Sequence, residues 1–124
     1  MPDRTYDLQG VRVFECAAEG TPPGNSRDAV DLISAAWNQK ATLMVIPAGR
    51  LGDDFFRLKT GVAGEIMQKF VTYGLRLAIV GDISRYLSES SALRDLVYEC
   101  NKGTQVWFLA NLQELAEQLT RHEG

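Results

Sequence analysis

The chain has 124 residues, of which 45% are hydrophobic and 23% are charged, enough for one domain to bury a core without disulfides or metal. Its 13 lysines and arginines against 16 acidic residues give a net charge of −3, which argues against a nucleic-acid-binding surface. The apolar runs are far shorter than the ~20 residues needed to cross a bilayer, and the charged N-terminus lacks the apolar core of a signal peptide. The sequence therefore predicts a single cytoplasmic domain over residues 1–124, with no membrane or nucleic-acid partner.

The chain begins with two short segments of alternating polarity. Residues 5–8 and 11–16 are joined by Gln9-Gly10, which predicts two strands connected by a two-residue hairpin. The stretch 22–25 then interrupts the regular structure. Ser26 is the predicted N-cap of a first helix, whose apolar residues recur at helical spacing: Ala29, Leu32, Ile33, Ala36 and Trp37.

Three continuous apolar runs follow, at residues 43–46, 77–80 and 106–109. Strands that do not alternate are normally buried on both faces, as in a parallel sheet covered by helices. The segments between them carry helical stripes, of which one contains Val62, Ile66, Phe70 and Tyr73 and the next Leu93, Leu96, Val97 and Cys100. Lys102-Gly103 is predicted to end the second of these helices, and Asn111 with Glu114 forms a capping box for the last one.

The resulting element order is ββαβαβαβα, with right-handed crossovers between the parallel strands. It predicts an α/β fold with a mixed sheet of about five strands, an N-terminal hairpin plus a parallel set, covered by about four helices.

The turn Lys59-Thr60-Gly61 is the most specific local feature. Thr60 stands where an N-cap belongs for a helix predicted to begin at Gly61, so its hydroxyl would accept an otherwise unpaired N–H group. The G-x-x-x-x-G-K-[ST] spacing of a phosphate loop is absent, which argues against a Walker-type nucleotide site.

Gly61 and Gly64 share one helix face with Glu65, Gln68 and Thr72. Glycine lets another backbone approach closely, and helix N-termini favour negative charge, so this face is predicted to dock a protein or an anion. The alternative is a capped helix whose glycines pack tightly against a neighbouring element. For Glu65, the alternative is a solvated pair with Lys69, four residues later.

Asp82 follows a buried strand and Gly81. This is the carboxyl edge of the sheet, where ligands bind in open α/β folds; the alternative is that Asp82 caps the next turn through Ser84. Asp53-Asp54 precede Phe55-Phe56, which predicts a turn with the aromatic rings folded inward.

No set of residues specifies a catalytic centre, a metal site or a cofactor. The single histidine, His122, is interpreted as a solvent residue, and Cys16 and Cys100 are too far apart in sequence to form a zinc set with it. Both cysteines are interpreted as buried, reduced thiols rather than a disulfide. Ser90 or Ser91 is predicted to cap a helix, because no histidine is near to activate a serine nucleophile.

Three stretches carry a resemblance to a known family: 55–70 (FFRLKTGVAGEIMQKF), 76–82 (RLAIVGD) and 98–103 (YECNKG). Through them the sequence resembles the bacterial domain-of-unknown-function family 4180, from about residue 26 to the last helix. The resemblance implies a small stand-alone α/β domain and no assigned activity.

The element order is also similar to that of the STAS fold of anti-sigma-factor antagonists. In that family a Ser or Thr at the start of the helix after the third strand can be phosphorylated and faces a partner kinase. The resemblance implies such a role for Thr60, although Leu58-Lys59 stands where the family usually has an Asp-Ser pair.

Two functions are therefore hypotheses. The first is a non-catalytic protein-interaction or regulatory module, in which a protein partner or a second copy binds the helix start at Thr60-Gly61. The second is a protein or enzyme that binds a small anionic ligand through Lys59 and the N–H groups near Gly61. It requires a pocket at the carboxyl edge of the sheet that also contains Asp82 or Glu65.

Overall fold

The computed structural model describes residues 3–123 and the side chains of residues 3–121, so the interpretation of His122 lies outside the described side chains. One five-stranded sheet runs in the order β1-β2-β3-β4-β5, with β1 antiparallel to β2 and all other neighbours parallel. The strands are Arg4–Leu8, Val11–Glu15, Leu43–Pro47, Arg76–Val80 and Val106–Leu109. The predicted α/β fold, with a hairpin joined to a parallel set, is confirmed.

The described residues form six α-helices, where the sequence predicted about four. They are α1 (Ser26–Asn38), α2 (Ala48–Phe56), α3 (Val62–Tyr73), α4 (Ser84–Glu89), α5 (Ser91–Lys102) and α6 (Leu112–Glu123). The two that the sequence did not predict are short and irregular. Gly52 kinks α2 at φ 75°, although its buried residues Ala48, Leu51, Phe55 and Phe56 do recur at helical spacing. Helix α4 has six residues, none of them buried, and so presents no apolar stripe.

The sheet separates two unequal cores. The helices of the three crossovers, α1 to α5, pack on one face against residues that include Met44, Ile46 and Ile79. Right-handed crossovers between successive neighbouring strands place their helices on the same side, which accounts for this crowding. On the opposite face, Leu43, Val45 and Trp107 pack against Leu115 and Leu119 of α6.

Helix ends follow local side-chain chemistry, with one correction. Asn25, not Ser26, is the N-cap of α1, because its side chain accepts the N–H of Asp28 at 2.9 Å. Ser90 caps α5 through the N–H of Leu93, and Asn111 accepts the N–H of Glu114, as predicted. Gly103 ends α5, which is also as predicted.

Two residues assigned to helical stripes are not in the core. Trp37 and Tyr73 are 47% and 43% exposed, and their rings meet edge to face, with the centroids 5.5 Å apart. They lie in the last turns of α1 and α3.

Both cysteines are free, as predicted. Cys16 is buried beside Met44, and burial raises the pKa of its thiol to about 12. Cys100 is only half-buried, which corrects its predicted full burial.

None of the helices in residues 3–123 is both long enough and apolar enough to cross a membrane.

Candidate functional site

The turn around Thr60 is built differently from the prediction. Thr60 ends a 3₁₀ turn, Leu58–Thr60, and helix α2 lies between this turn and strand β3. Helix α3 begins at Val62 rather than at Gly61. The Thr60 hydroxyl lies 2.7 Å from the carbonyl oxygen of Asp54 and 2.9 Å from that of Arg57, and it accepts the N–H of Val62 at 3.2 Å. Thr60 therefore accepts an N–H group from the start of α3, as predicted, but it lies one residue before Gly61, which is the N-cap of that helix.

The predicted face of α3 is exposed. Gly61 and Gly64 both have open space where a side chain would be, so the alternative of tight packing against a neighbouring element does not apply. Gln68 donates from its amide nitrogen to the hydroxyl of Thr72 on the same face, at 3.2 Å.

Glu65 joins two helices instead of forming an open site. Its Oε1 accepts both the N–H and the hydroxyl of Ser26 at 2.9 Å, so the start of α3 is tied to the start of α1. These two bonds, supported by the charge of Lys69, lower the pKa of the Glu65 carboxyl group.

Asp82 lies at the carboxyl edge, as its sequence position requires. Its Oδ1 accepts the hydroxyl of Ser84 at 2.6 Å and the N–H of Ser84 at 2.9 Å, and these bonds lower its pKa. Asp82 and Ser84 line a small hollow of about 250 Å³ together with Phe108 and Leu109. Lys59 does not line this hollow, so Asp82 and Lys59 belong to different cavities.

Lys59 and Thr60 line a larger cavity, which we call the Lys59 cleft. Its volume is about 620 Å³, within the usual range for small-molecule sites. One wall is the continuous segment 56–60; the other comes from α4 and α5 and consists of Tyr86, Glu89, Ser90 and Ala92.

The rim of the Lys59 cleft carries two free cations. Arg57 and Lys59 are exposed, and neither side chain makes a hydrogen bond or an ion pair in the described part of the chain, although the charge of Arg57 helps to lower the pKa of Asp53. Ser90 and Ala92 place the N-terminal end of the 12-residue helix α5 at the same cleft, and this end of a helix carries partial positive charge. Glu89 is the one acidic residue that lines it.

The apolar wall of the Lys59 cleft is an ordered aromatic pair. Tyr86 stacks on the buried ring of Phe56, with a centroid distance of 4.5 Å and an interplanar angle of 13°. The side chain of Leu58 adds to this surface from the 3₁₀ turn. The cleft thus combines an apolar interior with a basic rim.

Sequence reasoning assigned Lys59 and Thr60 to this site and missed the other residues that line it, including Arg57, Tyr86, Glu89 and Ser90. Tyr86 and Glu89 belong to α4, which was not predicted, and roughly 30 residues separate them from Arg57. The signal in the sequence was the prediction that Phe55-Phe56 fold inward, and both rings are buried, although residues 53–56 belong to helix α2 and not to the predicted turn.

No group of three or more His, Cys, Asp or Glu side chains within residues 3–121 is arranged to hold a metal ion.

The family can be assigned from comparison with known proteins. A family model described as a domain of unknown function, DUF4180, matches residues 8–119, from the end of β1 into α6. The chain belongs to the DUF4180 family. Comparison of this DUF4180 chain with curated proteins and with solved structures gives no match. The similarity to the STAS fold therefore stays a resemblance in element order, and α2 interrupts that order before Thr60.

Proposed function

We propose that this DUF4180 protein binds a small organic anion with an apolar body in the Lys59 cleft, and that it does so without chemistry on the ligand. The observation that carries the proposal is the pair of unpaired cations, Arg57 and Lys59, on the rim of a cleft of about 620 Å³. An anion there would form charge-assisted hydrogen bonds with both.

The threonine and serine hydroxyls of the cleft support binding rather than catalysis. Thr60 is held by the backbone of residues 54, 57 and 62, and the Ser90 hydroxyl accepts the N–H of Leu93. Neither hydroxyl has a histidine or carboxylate bonded to it that would act as a general base.

Anilinonaphthalene sulfonate, a fluorescent anion with an apolar body, is a direct probe of this proposal. We expect its fluorescence to rise on binding, and the double variant Arg57→Gln/Lys59→Gln to bind it roughly tenfold more weakly, because charged hydrogen bonds are lost. The matched control is Arg27→Gln/Lys40→Gln, which removes the same charges from two exposed residues away from the cleft.

The uncharged analogue N-phenylnaphthylamine separates charge from apolar contact. Its affinity should be the same for wild type and for the Arg57/Lys59 double variant. Equal binding of the sulfonate by wild type and by that variant would refute the proposed anion site.

A second candidate function, protein interaction through α3, is supported by a different observation. Gly64 lies in the helix interior at an exposed position with open space around it, so no contact among the side chains of residues 3–121 requires a glycine there. Together with Gln68 and Thr72, it forms a face that another backbone can approach closely, and we propose a second copy of this chain as its occupant.

Sedimentation velocity over a concentration series tests this second candidate. Wild type should associate as the concentration rises, and Gly64→Arg should remain monomeric because its side chain blocks close approach. Ser34→Arg, at an exposed position of α1, is the matched control and should behave as wild type. A wild-type protein that is monomeric throughout would eliminate the self-association.

A further inference from the structure

An exposed cluster of three side chains joins α2 to α4 behind the wall of the Lys59 cleft. Oδ1 of Asp53 accepts a hydrogen bond from Nη2 of Arg85 at 2.7 Å and another, very short one from the hydroxyl of Tyr86. The guanidinium of Arg85 also lies over the Tyr86 ring, 4.6 Å from its centroid. Nη2 of Arg85 also donates to the Tyr86 hydroxyl at 2.7 Å. Four interactions therefore converge on Tyr86: stacking on Phe56, the ring contact and the hydrogen bond with Arg85, and the hydroxyl bond to Asp53.

Stabilisation of the fold is a weak explanation for this cluster. The side chains of Asp53 and Arg85 are 48% and 71% exposed, and ion pairs at such positions contribute little to the free energy of unfolding. Ordering a long arginine side chain also costs conformational entropy. We therefore look for the role of this cluster in the position of the Tyr86 side chain rather than in the free energy of unfolding.

The ring of Tyr86 is the part of this cluster that reaches the cleft. Tyr86 lines the cavity, whereas Asp53 and Arg85 do not. Helix α4, which carries Tyr86, has six residues and none of them is buried, so its packing against the core is limited to partly buried side chains such as Tyr86 and Leu87. Contacts from α2 are therefore important for the orientation of the ring.

We infer that Asp53 is a positioning residue for the Lys59 cleft, which acts through Tyr86. This inference rests on the proposed anion-binding function and adds a specificity element to it. With Asp53 in place, the ring of Tyr86 completes the apolar wall beside the charges of Arg57 and Lys59. Without it, Tyr86 loses its hydrogen bond to α2 and the wall loosens, while Arg85 keeps its contact with the Tyr86 hydroxyl.

Binding of anilinonaphthalene sulfonate should reveal this role in a graded series. Asp53→Ala removes both hydrogen bonds and should weaken binding roughly tenfold. Asp53→Asn retains an acceptor oxygen and should recover part of the affinity. Tyr86→Phe preserves the stacked ring but loses the bond to Asp53, and it should resemble Asp53→Asn.

Asp54→Ala is the matched control. This neighbouring carboxylate makes no hydrogen bond or ion pair with another described residue, and the substitution changes charge and helix propensity in the same way. It should bind the sulfonate as wild type does.

A second measurement on the ligand-free protein distinguishes failure of this inference from failure of the proposed function. The ring-proton resonances of Tyr86, shifted by the stacked Phe56 ring, should move toward free-tyrosine values in Asp53→Ala and stay unchanged in Asp54→Ala. If wild type does not bind the sulfonate, the proposed function falls, whatever the resonances show. If wild type binds it and Asp53→Ala binds equally well, or if the resonances do not move, Asp53 is not a positioning residue.

Discussion

Two glycines near the start of α3 have different physical reasons for being there. Gly61 adopts φ +79°, the left-handed region in which any side chain is strained. Gly64 lies inside α3, outside that region and with open space around it. The backbone conformation therefore demands glycine at position 61, whereas neither backbone conformation nor packing among the described residues demands it at position 64.

Alanine substitutions at these two positions should have opposite effects. Gly64→Ala should raise the free energy of unfolding by about 0.5–1 kcal/mol, because glycine in a helix interior is costly. Gly61→Ala should lower it by about 1–2 kcal/mol, because alanine is strained at positive φ. Urea unfolding of both variants measures the two changes in the free energy of unfolding. A destabilised Gly64→Ala would mean that position 64 is more constrained than its open surroundings indicate.

Burial of the Cys16 thiol lowers the stability of the fold at alkaline pH. Its pKa is raised from 9.0 to about 12, mainly by burial, so above pH 9 the unfolded chain releases a proton that the folded chain keeps. Because the folded state then binds more protons than the unfolded state, stability falls as the pH rises.

The variant Cys16→Ala has no thiol, so its free energy of unfolding should not fall for this reason as the pH rises. Between pH 9 and pH 10.5 we expect wild type to lose roughly 2 kcal/mol relative to the variant, and the two should change in parallel below pH 8. Chemical denaturation at a series of pH values provides the measurement. Parallel curves up to pH 10.5 would show that the thiol titrates normally in the folded protein.

At the scale of elements, polar side chains bond backbone groups that secondary structure leaves without a partner. β5 is the last strand of the sheet, and the amide side chain of Asn101 on α5 bonds both backbone groups of Phe108: it accepts the N–H at 2.8 Å and donates to the carbonyl oxygen at 3.1 Å. This side chain substitutes for a neighbouring strand at that position. Glu65 joins α3 to α1 in a comparable way, through Ser26.

Asn101→Ala should leave the β5 edge open. We expect the free energy of unfolding to fall by about 1–3 kcal/mol, because two half-buried backbone groups lose their partner. The backbone N–H of Phe108 should exchange with solvent faster, and aggregation through the exposed edge should increase. Asp95→Ala, at an exposed position of the same helix, is the control. Unchanged exchange at Phe108 would show that Asn101 does not protect this edge.

At the scale of the whole molecule, the two faces of the sheet are covered unequally. Five helices cover one face, whereas within residues 3–123 only α6 covers the other. Leu115 and Leu119 of α6 are fully buried and fill the space above Val45, Ala78 and Trp107. The integrity of this second core therefore depends on one terminal helix.

Leu115→Ala should cost about 2–5 kcal/mol, the usual range for a fully buried leucine that leaves a cavity. Leu112→Ala, at a partly buried position of the same helix, should cost less. Thermal and urea unfolding of both variants provide the comparison. Similar losses would mean that α6 contributes through its total apolar area rather than through the packing of Leu115.

The sequence predicted the elements that have a strong local pattern. The continuous apolar runs identified β3, β4 and β5, and the Gln9-Gly10 turn identified the hairpin. Helical stripes identified α1, α3 and α5, and the capping box of Asn111 and Glu114 identified α6. It missed α2, where two glycines in nine residues are poor helix formers, and α4, where six residues are too few to show a periodicity. It also assigned Trp37 and Tyr73 to helical stripes, and both are exposed, since spacing alone does not show how far a stripe is covered.

The sequence by itself determined the fold class and the turn at Lys59-Thr60-Gly61, because apolar periodicity and turn chemistry act between residues close in the chain. Only the tertiary structure decided which residues surround that turn. It separated Lys59 from Asp82, bonded Glu65 to Ser26, and brought Tyr86 against Phe56. Such contacts depend on how α2 and α4 pack on the sheet. They join residues far apart in the chain, so no periodicity of the sequence indicates them.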